Sequence, residues 1–282
     1  MAFPRILVLG ATGRIGRILQ GCWPAERAIW QARPAPGRTA GVGWRLADPL
    51  ADPAWAADLA GEVGAVLGLA GVTPTTPRPE ARMAENIDLG LAAVRLAAGL
   101  GVPALLASSA AVYGAGPGPL AETTPPAPVS AYGRAKAEME TRAAALAAAL
   151  GVPVTALRIG NIAGADAILG GWRPGFALDR FADGRTPRRS YIGSQSLAAV
   201  LAQLAGRADL PGVLNIAAPG TVEMGALLDM AGLAWTPRPA PASAIAEVAL
   251  DVTRLCALVP LPPADAESLV AEWRGLPQSA GK

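Results

Sequence analysis

The 282-residue sequence contains no histidine, and this absence excludes several kinds of active site. Ser-His-Asp triads, Cys-His nucleophile pairs, histidine-ligated zinc and imidazole proton shuttles all require that side chain. The two cysteines, Cys22 and Cys256, lie far apart and form no Cys-x-x-Cys pair, which argues against a thiolate metal site or a redox couple. We therefore predict no metal ion and an acid or base other than imidazole.

Lysine and tyrosine are also scarce. Of the 24 basic residues only Lys136 and Lys282 are lysines, and the only tyrosines are Tyr113, Tyr132 and Tyr191. The net charge of +2 comes without a dense run of basic residues, which argues against a nucleic-acid partner. The partner that we expect is a small-molecule substrate.

Long apolar runs are absent as well. No uninterrupted stretch reaches the ~20 residues that a membrane-spanning helix needs. The N-terminal sequence MAFPRILVLG has a short apolar run but lacks the longer apolar region and cleavage site of a signal peptide. We predict a cytoplasmic protein with reduced thiols and no membrane partner.

The first half of the chain alternates short apolar runs with longer helical patterns. Strands are predicted at 5–9, 27–32, 65–70, 102–107 and 152–159, and helices at 14–22, 53–60, 79–99 and 131–150. This alternation is typical of an α/β fold, and we predict a Rossmann-like doubly wound parallel sheet. Residues 1–160 are assigned to this dinucleotide-binding domain.

The second half is richer in glycine and proline. Helices are predicted around 175–182, 197–205, 224–231 and 264–273, and a stiff extended connection at 235–241. We assign residues 161–282 mainly to a smaller substrate-binding lobe. A strand predicted at 212–217 is expected to return to the Rossmann sheet.

The segment Gly10-Ala-Thr-Gly-Arg-Ile-Gly16 follows the first predicted strand and opens a helix. Glycines at such a turn let the backbone approach a pyrophosphate, while the helix N-terminus supplies N–H groups and a positive dipole. A tight strand–helix turn without a ligand is the alternative, because the spacing is GxxGxxG rather than GxGxxG. We favour a dinucleotide, with contacts from Gly10, Thr12, Gly13, Arg14, Ile15 and Gly16.

The end of the second strand bears on the choice of cofactor. An acidic residue there accepts hydrogen bonds from the ribose of NAD, whereas this chain has Gln31-Ala32-Arg33, followed by Arg38. Because an arginine can pair with a 2′-phosphate, the sequence favours NADP(H) over NAD(H). The alternative is that Arg33 is a solvated loop residue.

Tyr132-Gly-Arg-Ala-Lys136 is the strongest signal in the sequence. Residues four apart share one face of a helix, so the phenol and the ammonium can converge. A nearby cation favours the phenolate and lowers the pKa of a tyrosine, which makes Tyr132 a candidate acid or base near neutral pH. The alternative is an ordinary pair of helix residues.

Two serines, Ser108 and Ser109, follow the strand predicted at 102–107. Hydroxyl groups at the carboxyl end of a central strand face the ligand crevice of an open α/β sheet. We expect one of them to bond both a substrate oxygen and the Tyr132 phenol. Turn-forming serines without a ligand are the alternative.

Taken in order, GATGRIG, SSAAVYG, YGRAK and LRIGNIAG resemble the extended short-chain dehydrogenase/reductase family, the NAD(P)-dependent epimerase/dehydratase group, over residues 5–164. A weaker match, GVLNIAAPGTVEMGALL, extends the resemblance to residue 228. It implies that Ser109, Tyr132 and Lys136 are catalytic and that Lys136 also holds the cofactor ribose. It further implies that Asn161 contacts substrate and that Asn86 positions the active site, although either asparagine can equally cap or bridge backbone.

Further expectations attach to this resemblance. The helices at 79–99 and 131–150 correspond to those that often form a homodimer interface in the family, and we predict a homodimer. Asp48 is the candidate for the adenine-side aspartate, and Ala70 is expected to contact the cofactor. Thr73 is expected to contact the substrate.

The segment at 189–198 departs from the family pattern. Family members often have a sequence similar to RDFIHVDDLA there, and this chain has RSYIGSQSLA, without the acidic pair or the histidine. Tyr191 is interpreted either as a pocket-lining, substrate-binding residue or as a core residue. This departure leaves a nucleotide-sugar substrate open.

The sequence therefore predicts an NAD(P)-dependent, epimerase/dehydratase-like oxidoreductase. It would act on a carbinol or ketone carbon, with sugar nucleotides among the candidate substrates, by hydride transfer assisted by tyrosine, lysine and serine. One alternative is an NADPH-dependent ketone or aldehyde reductase of the same superfamily. Another is a non-catalytic NADP-sensing protein on the same fold.

Overall fold

A computed structural model of the chain describes residues 5–52, 54–74, 79–116 and 118–276. Its strands, in chain order, are β1 (Arg5–Leu9), β2 (Ala28–Ala32), β3 (Trp44–Leu46), β4 (Val63–Gly68), β5 (Ala104–Ser109), β6 (Val154–Ile159), β7 (Asn161–Ile162), β8 (Ala177–Arg180), β9 (Arg188–Arg189), β10 (Tyr191–Ile192), β11 (Val213–Ile216), β12 (Val222–Glu223), β13 (Thr236–Pro239) and β14 (Glu247–Val248).

The helices alternate with these strands in the first half of the chain and cluster toward its end. They are α1 (Arg14–Cys22), α2 (Pro79–Arg82), α3 (Glu85–Leu100), α4 (Ala131–Leu150), α5 (Ser194–Leu204), α6 (Met224–Met230), α7 (Thr253–Leu258) and α8 (Ala266–Arg274). Short 3₁₀ turns lie at Ala25–Arg27, Ala57–Leu59 and Ala110–Val112. None of the helices in the described part of the chain is long and apolar enough to span a membrane.

A seven-stranded parallel sheet, in the order β11-β6-β5-β4-β1-β2-β3, forms the centre of the fold. Its strands are apolar runs buried on both faces, as parallel strands covered by helices must be; Leu7 and Val8 in β1 are fully buried. The predicted Rossmann-like α/β fold is confirmed. Because the chain proceeds from β1 to β2 on one side and returns to β4 on the other, the strand order reverses at β1. Ligands of open α/β sheets bind at the carboxyl ends of the strands at such a reversal.

The chain divides into two compact units. The first comprises residues 1–112, 128–158 and 201–214, and the second comprises 113–127, 159–200 and 215–282. This division differs from the predicted boundary at 160, because segment 113–127 groups with the later residues and segment 201–214 groups with the earlier ones. Strand β11 pairs with β6 at the edge of the central sheet.

The core of the first unit lies between the sheet and the helix pair α3 and α4. Apolar residues from both helices and from β1, β4 and β5 form one buried cluster, which includes Leu7, Val66, Val94, Leu106 and Met139. The two helices approach closely, since a Cβ atom at Gly90 would lie 2.5 Å from Cγ of Met139. Small residues in these helices are therefore needed for packing within one chain. The homodimer predicted for this helix pair stays a prediction.

Several predicted elements differ from those observed. The helix predicted at 175–182 is wrong: residues Ala177–Arg180 form β8, which pairs in parallel with Thr236–Pro239 in the segment predicted as an extended connection. Strand pairing between distant segments cannot be deduced from local helix propensity. The helix predicted at 53–60 is a 3₁₀ turn at Ala57–Leu59, and residue 53 lies outside the described residues. The strand Trp44–Leu46 and the helix Thr253–Leu258 had no sequence prediction.

Candidate active site

A turn of glycines carries the chain from β1 into α1. Gly10 has φ +80°, and a Cβ atom there would lie 2.6 Å from the backbone nitrogen of Ala70, so no other residue fits without displacement of the backbone. A Cβ atom at Gly16 would overlap the carbonyl oxygen of Ala11, so this glycine lets α1 start close to the turn. Gly13 precedes the helix and provides no side-chain cap. The turn thereby presents the N-terminus of α1 at the point where the strand order reverses.

A cleft of about 230 Å³ opens at this turn. Its lining residues are Gly10, Thr12, Gly13, Gln31, Ala32, Arg33, Arg38, Pro49, Leu69, Ala70, Gly71 and Leu89. Five of the predicted cofactor contacts are among them: Gly10, Thr12, Gly13, Arg33 and Ala70. The charged side chains in this lining set are the two arginines, and no carboxylate accompanies them. The cleft therefore suits an anionic ligand.

Gln31, which the sequence analysis did not single out as a ligand, organises the cleft. Its Oε1 atom accepts a hydrogen bond from the backbone nitrogen of Gly10 at 2.9 Å, and its Nε2 atom donates to the carbonyl oxygen of Ala47 at 2.6 Å. The side chain is buried and braces the turn. Arg33 lies two residues further along, at the cleft, and its carbonyl oxygen accepts a hydrogen bond from Nη1 of Arg38 at 2.7 Å. The sequence drew attention to this region only because β2 ends without an acidic residue. It did not indicate the hydrogen bonds that Gln31 forms.

The remaining predicted cofactor residues have other surroundings. Ile15 is half-buried within α1, and Gly16 is buried against Ala11. Asp48 accepts a hydrogen bond from the backbone nitrogen of Leu50 at 3.0 Å, and its neighbour Pro49 lines the cleft in its place. Asp48 thus closes a turn on its own backbone, as an aspartate before a proline readily does, and its contact with the cofactor stays a prediction.

Arg14 and Thr73 lie close together across the turn. The Nη2 atom of Arg14 donates to Oγ1 of Thr73 at 3.4 Å, and Thr73 is half-buried. Arg14 was predicted as a cofactor contact and Thr73 as a substrate contact. The structure brings the two together beside the start of α1.

The first turn of α4 positions Tyr132. Ser130 caps this helix, because its Oγ atom accepts a hydrogen bond from the backbone nitrogen of Gly133 at 3.0 Å. A Cβ atom at Gly133 would overlap the carbonyl oxygen of Ala111, so glycine allows the helix to begin against the chain that leaves β5. There the Ser109 hydroxyl lies near enough to the Tyr132 phenol to favour its ionised form. The structure therefore joins the predicted serine and tyrosine.

The pKa of Tyr132 differs in direction from the prediction. Burial raises the pKa of this phenol above its ordinary value of 10, and the Ser109 hydroxyl and the charge of Arg14 oppose that rise. The ammonium of Lys136 lies 5.9 Å from the centre of the tyrosine ring and donates to the carbonyl oxygen of Ala107 at 2.8 Å. The predicted lowering of the Tyr132 pKa is therefore not found, because burial outweighs the groups that favour the phenolate and Lys136 is not one of these groups.

Lys136 is itself buried, with 4% of its surface exposed. Burial lowers the pKa of its ammonium to about 8, and the charge of Glu140 opposes this effect. A Cβ atom at Gly71 would lie 3.4 Å from Nζ of Lys136, so the lysine reaches the cleft at this glycine.

Asn86 holds the loop that leads from β4 to this point. Its Oδ1 atom accepts a hydrogen bond from the backbone nitrogen of Val72 at 3.2 Å, and its Nδ2 atom donates to the carbonyl oxygens of Val72 and Met83 at 3.0 and 3.1 Å. A Cβ atom at Gly71 would lie 2.7 Å from Oδ1, which places the amide next to the part of the loop that Lys136 reaches. Asn86 therefore bridges backbone, one of the two roles considered for it, and does so beside Lys136.

The two other predicted substrate residues belong to the second unit. Tyr191 is fully buried, and its hydroxyl donates to Oδ2 of Asp166 at 2.9 Å; burial holds the pKa of this phenol well above its ordinary value. The side chain of Asn161, half-buried in β7, forms a hydrogen bond with Tyr191. Tyr191 is thus a core residue, and the pocket-lining interpretation is corrected, because its hydroxyl is satisfied within the unit.

A sequence profile of the NAD-dependent epimerase/dehydratase family matches residues 6–171. The chain belongs to this family. It is accordingly an NAD(P)-dependent enzyme of the short-chain dehydrogenase/reductase superfamily, as the motifs indicated. No sequence among curated proteins matches the chain closely enough to add a relative.

Solved structures of sugar-nucleotide enzymes share this fold. The UDP-glucose 4-epimerase of Stenotrophomonas maltophila, with bound NAD and formylated UDP-arabinopyranose, has a TM-score of 0.76 at 20% identity, over 96% of this chain and 97% of its own. The UDP-glucose 4-epimerase of Thermus thermophilus, in complex with NAD, gives 0.72 at 22% identity, over 96% and 99%. An NAD-dependent NDP-hexosamine 5,6-dehydratase gives 0.73 at 22% identity, over 96% and 97%. At these identities the likeness concerns the fold.

The burial of Lys136 predicts a stability cost that a substitution would relieve. We expect Lys136→Met to raise the free energy of unfolding at pH 7 by about 1–3 kcal/mol, because it removes a buried charge whose pKa lies near 8 rather than 10.5. Chemical denaturation of both proteins at pH 7 measures this difference.

The pH dependence provides the control for this prediction. The unfolded chain holds the lysine proton more firmly than the native protein between pH 8 and 10.5, so the native lysine costs less stability as pH rises through this range. The advantage of the Lys136→Met variant should therefore shrink from pH 8 upward. A variant less stable than wild type at pH 7 contradicts the interpretation.

Proposed function

We propose that the protein transfers hydride between NADP(H) and a carbinol or ketone carbon of a small molecule. The observation that carries the proposal is the meeting of three groups: Ser109 beside the Tyr132 phenol, and the Lys136 ammonium 5.9 Å from the Tyr132 ring and against the cleft residue Gly71. This set can hold a substrate oxygen, move a proton to or from it, and place a positive charge beside a cofactor. Family membership supports the same chemistry.

The glycine turn and the charge of the cleft suit the pyrophosphate part of a dinucleotide. A side chain at Gly10 would collide with Ala70, so the turn leaves backbone where a pyrophosphate needs a close approach. The N-terminus of α1 supplies a positive dipole there, and Arg33 and Arg38 supply positive charge further along the cleft. When bound, the nicotinamide supplies the group that accepts or returns the hydride.

Three residues of the chain transfer the proton and bind the reactants. Tyr132 gives a proton to the carbonyl oxygen in reduction and takes it from the hydroxyl in oxidation. Because burial raises the pKa of Tyr132, the phenol is protonated at neutral pH in the free protein, which suits the reductive direction. Ser109 would bond the reacting oxygen, and Lys136, which reaches the cleft at Gly71, would help to hold the cofactor ribose.

Replacement of the phenol hydroxyl tests the catalytic assignment. We expect Tyr132→Phe to bind NADPH as wild type does and to lose roughly 10²–10⁴-fold in kcat, since general acid–base catalysis contributes about that factor. Steady-state kinetics and fluorescence titration of NADPH measure the two quantities. Tyr113→Phe is the matched control: its hydroxyl donates to Asn215 at 2.8 Å within the second unit, so its loss should affect stability rather than kcat. Full activity in the Tyr132→Phe protein rules out this mechanism.

The preference for NADP(H) has its own support and its own test. Arg33 and Arg38 line the cleft and no carboxylate is among the lining residues, although Glu85, which pairs with Arg82, lies within electrostatic range of Arg33; the solved Stenotrophomonas and Thermus epimerases contain NAD. We expect Arg33→Gln to weaken NADPH binding about 10–100-fold and to change NADH binding little, because a charge-assisted hydrogen bond to a phosphate is worth roughly 1.5–3 kcal/mol.

The matched control for this cofactor test is Arg142→Gln. Arg142 is an exposed arginine of α4 outside the lining of the cleft, and its loss should affect neither cofactor. Equal losses of NADH and NADPH affinity in the Arg33→Gln protein refute an NADP-specific role for Arg33.

Two overall reactions use the same machinery. An epimerase or dehydratase returns the hydride to its substrate and retains its cofactor, whereas a reductase exchanges the cofactor at each turnover. The family favours the first reaction, on a sugar nucleotide, and the arginine-lined cleft favours an NADPH-dependent ketone or aldehyde reductase. Mass spectrometry of freshly purified, denatured protein decides between them: retained NAD(H) supports the epimerase or dehydratase, and empty protein that binds NADPH reversibly supports the reductase.

A non-catalytic NADP sensor is the remaining alternative. It predicts that wild type and Tyr132→Phe bind NADPH equally and that neither turns over any substrate. The meeting of Ser109, Tyr132 and Lys136 argues against it, since a sensor needs no proton donor at the substrate position.

The homodimer belongs to the same proposal. The exposed positions of α4 include Ala144, Ala145, Ala148 and Ala149, whose small side chains would allow a second helix pair to approach closely. The mass of the protein in solution by light scattering tests it.

A further inference from the structure

Glu140 is a buried carboxylate that the proposed reaction does not use. It lies four residues after Lys136, which lies four residues after Tyr132, so the three side chains share one face of α4. Only 8% of the surface of Glu140 is exposed. A charge removed from water at this depth requires compensation.

The compensation comes from two strands of the central sheet. The hydroxyl of Ser108 in β5 donates to Oε1 of Glu140 at 2.5 Å. Arg158 in β6 donates from Nε to both carboxylate oxygens, at 3.2 and 3.1 Å, and from Nη2 to Oε2 at 2.8 Å. The side chain of Arg158 is only 5% exposed, so both charges of this pair are buried. Such a pair adds little net stability compared with apolar residues, which raises the question of its use.

The contacts of Glu140 belong to a regular arrangement. The last three residues of β5 each face one member of the α4 set: Ala107 accepts a hydrogen bond from Lys136, Ser108 donates one to Glu140, and Ser109 lies beside Tyr132. The bond between Ser108 and Glu140 therefore fixes the position of α4 along β5. The two active-site contacts on either side of Ser108 depend on that position.

Glu140 also influences the ionisation of Lys136. Among the described residues that meet the ammonium, α3 contributes the neutral Asn86, β5 contributes the carbonyl oxygen of Ala107, and α4 contributes the neutral phenol of Tyr132 and the carboxylate of Glu140. Arg158, from β6, is bound to that carboxylate. Burial lowers the pKa of Lys136 to about 8, and Glu140 is the charge that opposes the decrease.

We propose that Glu140 is a positioning residue of the active site, which together with Ser108 and Arg158 sets α4 against β5 and holds a negative charge one helical turn from the Lys136 ammonium. Its kinetic consequence rests on the proposed hydride-transfer function. Its effect on Lys136 does not, and can be measured without any substrate.

The shortage of lysine makes this measurement direct. With two lysines in the sequence, a protein labelled with ¹³Cε-lysine gives two signals, and Lys136→Arg identifies which of them belongs to Lys136. The C-terminal Lys282 serves as an internal reference. We expect Lys136 to titrate near pH 8 in wild type and lower, by on the order of one pH unit, in Glu140→Gln, because the opposing charge is lost.

The matched control is Glu138→Gln, which removes an exposed carboxylate from the same helix. It should leave the Lys136 titration unchanged. An unchanged titration in Glu140→Gln, or an equal shift in both variants, overturns the proposal.

A second variant separates this effect from a loss of folding. Glu140→Gln leaves the buried charge of Arg158 without its partner, which is itself destabilising. The double variant Glu140→Gln/Arg158→Met removes both charges, so we expect it to recover much of the lost stability while the lysine still titrates below the wild-type value. A double variant that titrates as wild type does overturns the proposal.

Kinetics supply the last part of the test. If Lys136 must be charged for hydride transfer, the pH at which kcat/KM falls on the alkaline side should move down in Glu140→Gln by the same amount as the lysine titration. A reduced rate with an unmoved pH profile would show a structural role only and would overturn the proposal. If the lysine titration shifts but wild type transfers no hydride, the proposed function fails and the coupling between Glu140 and Lys136 stands.

Discussion

The site depends on the close contact between the first turns of α4 and the last residues of β5. Gly133 permits this contact, because any larger residue would collide with the carbonyl oxygen of Ala111. Residues four apart share one face of a helix, so a helix that begins there has both Tyr132 and Lys136 facing the carboxyl end of β5. The cleft and the catalytic groups come together because this contact lies next to the strand-order reversal that presents the glycine turn.

Burial changes the pKa values of the site residues and also lowers the stability of the folded protein. A lysine withdrawn from water loses affinity for its proton, and a tyrosine withdrawn from water holds its proton more firmly. The ordinary order of the two pKa values, with lysine slightly above tyrosine, is therefore reversed here, and the lysine lies below the tyrosine. The carboxylate of Glu140, which Arg158 binds, opposes the fall of the lysine pKa. Burying these ionisable side chains lowers the stability of the protein, as is common for residues that serve function.

The sequence was most informative where one short segment carries the whole signal. The bounds of α1 and α4 agree with the predictions, because helical spacing, the glycine turn before α1 and the Ser130 cap of α4 are local properties. Predictions failed where a distant segment decides the outcome. Residues 177–180 form a strand because residues 236–239 lie beside them, and Tyr191 is a core residue because Asp166 accepts its hydroxyl. Neither partner can be identified from the sequence around the predicted residue.

By itself, the sequence determined the fold class, the family and the side chains able to move a proton, since these follow from strand–helix alternation, motif order and the scarcity of lysine and tyrosine. Only the tertiary structure decided how those side chains behave. It placed Gln31 under the glycine turn, set Asp48 in a turn of its own, raised rather than lowered the pKa of Tyr132, and put Glu140 behind Lys136. The physical reason is that burial and charge are summed over neighbours from different strands and helices, and these neighbours are defined only when the chain has folded.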